Sequence, residues 1–155
     1  MKIYDCFMFF DEEMLLDLRL NVMDKYVDKF VITESTYTHS GKSKKLIFDI
    51  SKFKKFEDKI IYIVVDNEPL DLIKIKNSDT LNVKQIKMTI NAKKREMHQI
   101  NKTKEGIINA DNDDMIIVSD IDEIPNLEKI NLKNINNKLI FFKQKMFYYK
   151  FNLFY

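Results

Sequence analysis

The sequence predicts an α/β domain in which a mixed, mostly parallel sheet is flanked by helices. Three observations carry that expectation. Apolar runs of strand length alternate with segments of helical period in the order β-α-β-loop-β-α-β-β. Two of the runs, Lys59 to Val65 and Met115 to Val118, are almost unbroken by polar residues, as strands covered on both faces are. Polar and acidic residues gather where the runs stop, and open α/β sheets bind their ligands at the carboxyl ends of strands.

Ile3 to Phe10 reads as the first strand, apolar and aromatic apart from Asp5. Asp11 is placed to cap a helix with Glu12 and Glu13 in its first turn, where negative charge complements the helix dipole. Leu15, Leu18, Val22, Met23 and Tyr26 recur at helical spacing and predict the face turned to the core. Phe30 to Thr33 is a short second strand that ends at Glu34, and the polar stretch Ser35 to Lys45, with Gly41, reads as a loop. Lys59 to Val65 predicts a strand buried on both faces, closed by Asp66 before Pro69. Val83, Ile86, Ile90, Met97, Ile100 and Ile107 mark a long polar helix with an apolar stripe, ending near Gly106. Met115 to Val118 is the next strand, and it delivers Asp120 and Asp122 at its end. Leu139 to Phe142, then Phe147, Tyr149, Phe151, Leu153 and Tyr155 at period two, predict two final strands. If exposed, that aromatic stripe predicts self-association.

The 155 residues, 18.6 kDa, fit a single domain over 1–155. A net charge of +2, with Arg19 and Arg95 the only arginines, gives no field to recruit nucleic acid, so no nucleic-acid partner is expected. The single cysteine, Cys6, sits in an apolar run and reads as a small buried hydrophobe. No apolar stretch approaches the ~20 residues of a membrane span, and Asp5 interrupts any secretory signal, which together predict a cytoplasmic protein.

The segment Ser119-Asp120-Ile121-Asp122-Glu123-Ile124-Pro125 is the strongest candidate for chemistry. Two carboxylates one residue apart, directly after an apolar strand, suit a hard divalent cation, Mn2+ or Mg2+. Such an ion keeps several waters and bridges to substrate phosphates, so two protein acids suffice when the substrate brings a diphosphate. The nearby Asp111-Asn112-Asp113-Asp114 shows that acid pairs also recur without that context. Glu34 ends the second strand beside the expected cleft, Asp5 is an acid within the first strand, and His39 lies in the Gly41 loop where it could meet a phosphate or a sugar. Lys42, Lys44 and Lys45 could steer a diphosphate. A phosphohydrolase with Asp120 as nucleophile would place the pair near the chain start and carry later basic motifs, neither of which is present.

Several stretches together resemble glycosyltransferase family 17. They are Asp5 to Glu12, Leu15 to Asn21, Val27 to Glu34, Thr38-His39-Ser40-Gly41-Lys42, Arg95-Glu96-Met97-His98-Gln99 and Ser119 to Pro125, in the family's order from about Ile3 to Tyr149. Its best-known members are β-1,4-mannosyl-glycoprotein 4-β-N-acetylglucosaminyltransferases. The resemblance implies a fold of the GT-A type and an inverting transfer of a sugar, N-acetylglucosamine by analogy, from a UDP-sugar to a glycan acceptor. It implies metal contacts at Asp120 and Asp122 and donor contacts at Asp5, Glu34, His39, Glu96, Gln99 and Asp120. Ile100 stands where the family pattern has arginine. The chain also stops soon after its last strand where family members continue, so the fold is expected to be truncated at the C-terminus. The acceptor-binding part and its general base are then expected on a separate C-terminal polypeptide, or the chain is a nucleotide-sugar-binding or partner-binding remnant.

Overall fold

The computed structural model describes residues 1–132, 135 and 137–145. Among these residues four strands form one sheet: β1 (Ile3–Phe9), β2 (Lys29–Ser35), β3 (Ile60–Val65) and β4 (Met115–Val118), in the spatial order β3-β2-β1-β4. Every pairing among the described strands is parallel, with Cys6 opposite Val31 on one side and Val118 on the other, in keeping with the mostly parallel sheet expected. The chain steps outward from β1 through β2 to β3, then returns to add β4 on the far side of β1. That reversal of direction leaves a crevice between the ends of β1 and β4, where the loops that follow them diverge.

Helix α1 (Glu13–Met23) and a 3-10 helix over Ile50–Lys59 cover one face, and α2 (Leu81–Lys102) with a 3-10 helix over Thr103–Ile107 cover the other. Alternation along β1 sends Ile3, Phe7 and Phe9 to the first face, where they join Leu16, Leu20, Phe30, Ile32, Phe53 and Phe56 in the main core. Tyr4 and Cys6 point the other way, against Val31, Ile61, Ile63 and Ile107. Cys6 is fully buried, and burial, with Asp5 beside it, pushes its thiol up to about 12, so it packs as an apolar group. At Gly106 a Cβ would meet Val31 Cγ1 at 2.4 Å, so only glycine lets this turn lie flat on the sheet.

The strands arise where apolar runs predict them, but their places in the sheet differ from expectation. β3 and β4, the unbroken apolar runs, are the two edges, and Val64 and Val118 are exposed. The central strands β1 and β2 instead carry Asp5, Thr33, Glu34 and Ser35, all buried. Apolarity thus marked the strands that lack a neighbour on one side, because the central ones hold internal polar pairs.

On α1 the buried face is Leu16, Arg19, Leu20 and Met23, while Leu18 and Val22 are exposed. The spacing 16, 19, 20, 23 is an ideal helical stripe, concealed in the sequence because one of its members is an arginine. Asp11 makes no side-chain cap; Glu12 accepts the amides of Phe10 and Asp11 at 3.0 and 3.1 Å and organises that turn. Along α2 the apolar stripe Val83, Ile86, Ile90 and Met97 faces away from the sheet and is exposed, and the buried residues are Asn91 and Gln99. Asn91 is buried because its amide clamps the backbone of Ile73 from both sides, at 2.7 and 2.8 Å. Leu139 to Phe142 is not a strand, and Phe147 to Tyr155 lie outside the described residues. Among the described residues no helix is long and apolar enough to cross a membrane.

Candidate functional site

A cleft of about 660 Å³ opens at the crevice between the ends of β1 and β4. It is lined by Met8 and Phe9 from the end of β1, Phe10 and Glu12 from the turn into α1, and Asp120, Ile121 and Asp122 from the loop after β4. Thr38 and His39 form the rim, and Glu96 and Gln99 reach it from α2. Five of the seven residues expected to contact donor or metal, namely His39, Glu96, Gln99, Asp120 and Asp122, therefore meet in one place. A larger cavity, about 750 Å³, runs along the outer edge of β4 and touches none of them.

Each wall has an identifiable support. The Thr38–Lys42 loop is bonded to itself: Gly41 N donates to Thr38 O at 2.8 Å, Lys42 N to Thr38 Oγ1 at 3.1 Å, and Tyr37 pairs with Ser43 in a short antiparallel bridge. Gly41 has φ of 84°, in the left-handed region, and a Cβ there would sit 2.6 Å from the Arg95 guanidinium. Arg95 lies across that glycine, donates from Nη1 to His39 O at 3.3 Å and pairs with Glu68. The Arg95-Glu96-Met97-His98-Gln99 stretch is thus a divided tool: Arg95 grips the rim, while Glu96 and Gln99, on the same helix, line the cleft. Gln99 is held in turn by its own bond from Nε2 to Thr33 O at 2.9 Å.

The acids of the cleft are not paired off. Neither Asp120 nor Asp122 has a side-chain hydrogen bond or ion pair among the described residues. Partial burial, reinforced by the charges of Glu123, Asp122 and Glu96, pushes the Asp120 carboxyl above its ordinary value, and Lys93 only partly offsets this. A site that raises a carboxyl in this way favours anything that brings positive charge, whether a proton or a cation. The donors are hard oxygens, which suits Mg2+ or Mn2+. Among the described residues no group of three or more His, Cys, Asp or Glu is arranged to hold a metal ion. Two carboxylates could therefore contribute only part of a coordination shell, and water or ligand phosphate would supply the rest.

Asp5 and Glu34 do not line the cleft; both lie inside the sheet. Both are fully buried and fully answered. Asp5 takes a bidentate pair from Arg19, at 2.9 and 2.7 Å. Glu34 pairs with Lys44 and accepts from Ile47 N at 2.9 Å, Phe48 N at 3.1 Å and Tyr62 Oη at 2.7 Å. Burial alone would raise Glu34, but these four donors together hold it below its ordinary value. Tyr62 moves upward for the complementary reason, burial plus the bond to a carboxylate. Lys44, expected to steer phosphate, is thereby spent on closing the loop after β2. Sequence reading missed the role of Arg19 and of Glu12; the helical spacing of Leu16, Arg19, Leu20 and Met23 was the signal available for the first.

This fold and cleft define an open parallel α/β domain with a carboxylate-lined ligand crevice at the point where strand order reverses. Within that class the chain belongs to glycosyltransferase family 17, whose family model matches residues 1–155. No curated protein and no solved structure matches the chain.

Proposed function

We propose that this chain is the donor-binding part of a metal-dependent, inverting glycosyltransferase of the GT-A type, which takes a UDP-sugar, N-acetylglucosamine by family analogy, for transfer to a glycan acceptor. The observation that carries the reading is the pair of unanswered carboxylates, Asp120 and Asp122, in the crevice of a family 17 sheet. Asp122 would hold Mn2+ or Mg2+ directly, and Asp120 would reach it directly or through water, or contact the ribose. Bound there, the cation supplies neutralising charge for the departing diphosphate. Glu96 and Gln99 would orient the donor from α2, and His39 would close over it from the rim. These residues act by fixing position and charge, while an acceptor hydroxyl attacks the anomeric carbon from the opposite side.

Calorimetry with UDP tests this directly. Binding is expected only with Mn2+ or Mg2+ present and is expected to vanish in Asp122→Ala; equal binding in the presence of chelator defeats the reading. The exposed apolar stripe on α2, Val83, Ile86, Ile90 and Met97, favours a second reading in which the chain binds donor or partner without transfer. Hydrolysis or transfer of the donor sugar excludes it.

A further inference from the structure

Arg19 lies in the middle of α1, yet its side chain is completely buried and reaches the loop after β4. A guanidinium offers five N–H donors in one rigid plane, and all of them are used. Nε and Nη2 take the two oxygens of Asp5. Nη2 also donates to Ser119 Oγ at 2.8 Å, and Nη1 donates to the Asp120 carbonyl at 2.6 Å and, at longer range, to the carbonyls of Ile121 and Glu123 at 3.3 and 3.4 Å. Ser119 Oγ completes a ring by donating to Glu123 O at 3.0 Å. The ring of Phe7 seals the guanidinium face, 4.5 Å from its centroid.

We propose that Arg19 is the positioning residue of the cation-binding loop and that Asp5 keeps it electrically neutral. This rests on the reading that Asp120 and Asp122 take a divalent cation. Three carbonyls of one short turn, those of Asp120, Ile121 and Glu123, are drawn inward around one planar group, which fixes the backbone there and with it the direction in which the Asp120 and Asp122 side chains leave toward the cleft. Lysine could not do this, because an ammonium is a point charge without the planar fork. The Asp5 carboxylate cancels the guanidinium charge at bonding distance, so the loop is gripped without its acids being neutralised. An unpaired arginine in the same place would hold the loop and repel the cation. Groups that orient metal ligands from behind typically change metal affinity about 10- to 100-fold when removed.

Two variants separate positioning from simple support of the fold. Replacing the whole pair, Asp5→Leu with Arg19→Met, removes both charges together, a change that buried ion pairs commonly tolerate without loss of folding. It is expected to keep the circular dichroism and cooperative unfolding of the parent while losing about tenfold or more in Mn2+-dependent UDP affinity. Amide exchange faster than the parent's is also expected at residues 119–123 but not within β4. Asp5→Asn retains the shape but leaves the guanidinium charge uncompensated. Its Mn2+ affinity is expected to fall several-fold, and the deficit to shrink as salt screens the charge.

A folded double variant with parental affinity and parental exchange at 119–123 overturns the proposal, and so does unchanged Mn2+ affinity in Asp5→Asn, which decides the matter if the double variant does not fold. If the parent protein itself fails to bind Mn2+ and UDP, the functional reading is what fails; loop exchange in the double variant still judges Arg19.

Discussion

Asp5 and Glu34 inside the sheet, and Asp120 and Asp122 at its edge, are carboxylates of one chemistry in two kinds of surroundings. The inner two are inaccessible to solvent, and each is met by a cation: Arg19 for Asp5, Lys44 for Glu34. The outer two face an open cleft with no side-chain bonding partner among the described residues, in the company of Glu96 and Glu123. Burial of a charge is tolerated only when it is paired and hydrogen-bonded, so the inner acids are spent on holding the fold. The outer acids carry a repulsion that the folded chain alone does not relieve. Acid position at a strand end is therefore a poor guide to function, and an unanswered charge is a better one.

The comparison can be broken or sharpened in order of effect. Arg19→Ala leaves Asp5 buried and alone, and chemical denaturation is expected to show a loss of about 3–5 kcal/mol; a loss below about 1 kcal/mol, within the range of ordinary substitutions, would erase the distinction between inner and outer acids. Glu34→Gln keeps the size but removes the charge from three hydrogen bonds and an ion pair, and is expected to cost about 1.5–3 kcal/mol. Gly41→Ala forces a side chain into the left-handed region and against Arg95, and is expected to cost roughly 1 kcal/mol, read as loosening of the 38–42 loop in amide exchange. Asp122→Ala is expected to change unfolding free energy by no more than about 0.5 kcal/mol while removing cation-dependent UDP binding.

The pH dependence should have opposite signs for Glu34 and Asp120. Glu34 is held below its ordinary value of 4.5, so its stabilising contribution is present above that pH and lost as pH falls through the folded value. Asp120 is raised above 3.8, so the folded form binds its proton more readily; the benefit is present below 3.8 and lost as pH rises through the raised value. Unfolding curves of Glu34→Gln should accordingly lose part of the acid-side slope, and Asp120→Asn should be slightly more stable than the parent at neutral pH. A destabilised Asp120→Asn would contradict the like-charge picture.

Much of this was legible in the sequence, for reasons that can be given residue by residue. Apolar runs located all four strands, because a strand must bury side chains whatever its place in the sheet. The segment Asp120 to Asp122 was legible because it follows such a run directly. Sheet position was not legible, since hydropathy treats the Asp5–Arg19 pair as two polar residues when the pair behaves as one neutral internal unit. For the same reason the core face of α1 was only partly placed: Met23 is buried and Leu15 and Tyr26 pack against the core, but Leu18 and Val22 are exposed and Arg19 takes an inner position. The Arg95-Glu96-Met97-His98-Gln99 stretch was legible as a motif but not as a mechanism, because the grip of Arg95 on Gly41 joins residues 54 positions apart in sequence.

Among the described strands β4 pairs with β1 alone, and the Lys2 amide that begins this contact bonds Asp114, 112 positions later. The crevice cannot exist in any partly folded chain that has assembled β1, β2 and β3 alone. A guest that enters it selects molecules that have already closed the longest loop in the fold. Kinetically, such a guest should act as a latch: it would leave the rate of folding untouched and lengthen the lifetime of the native state.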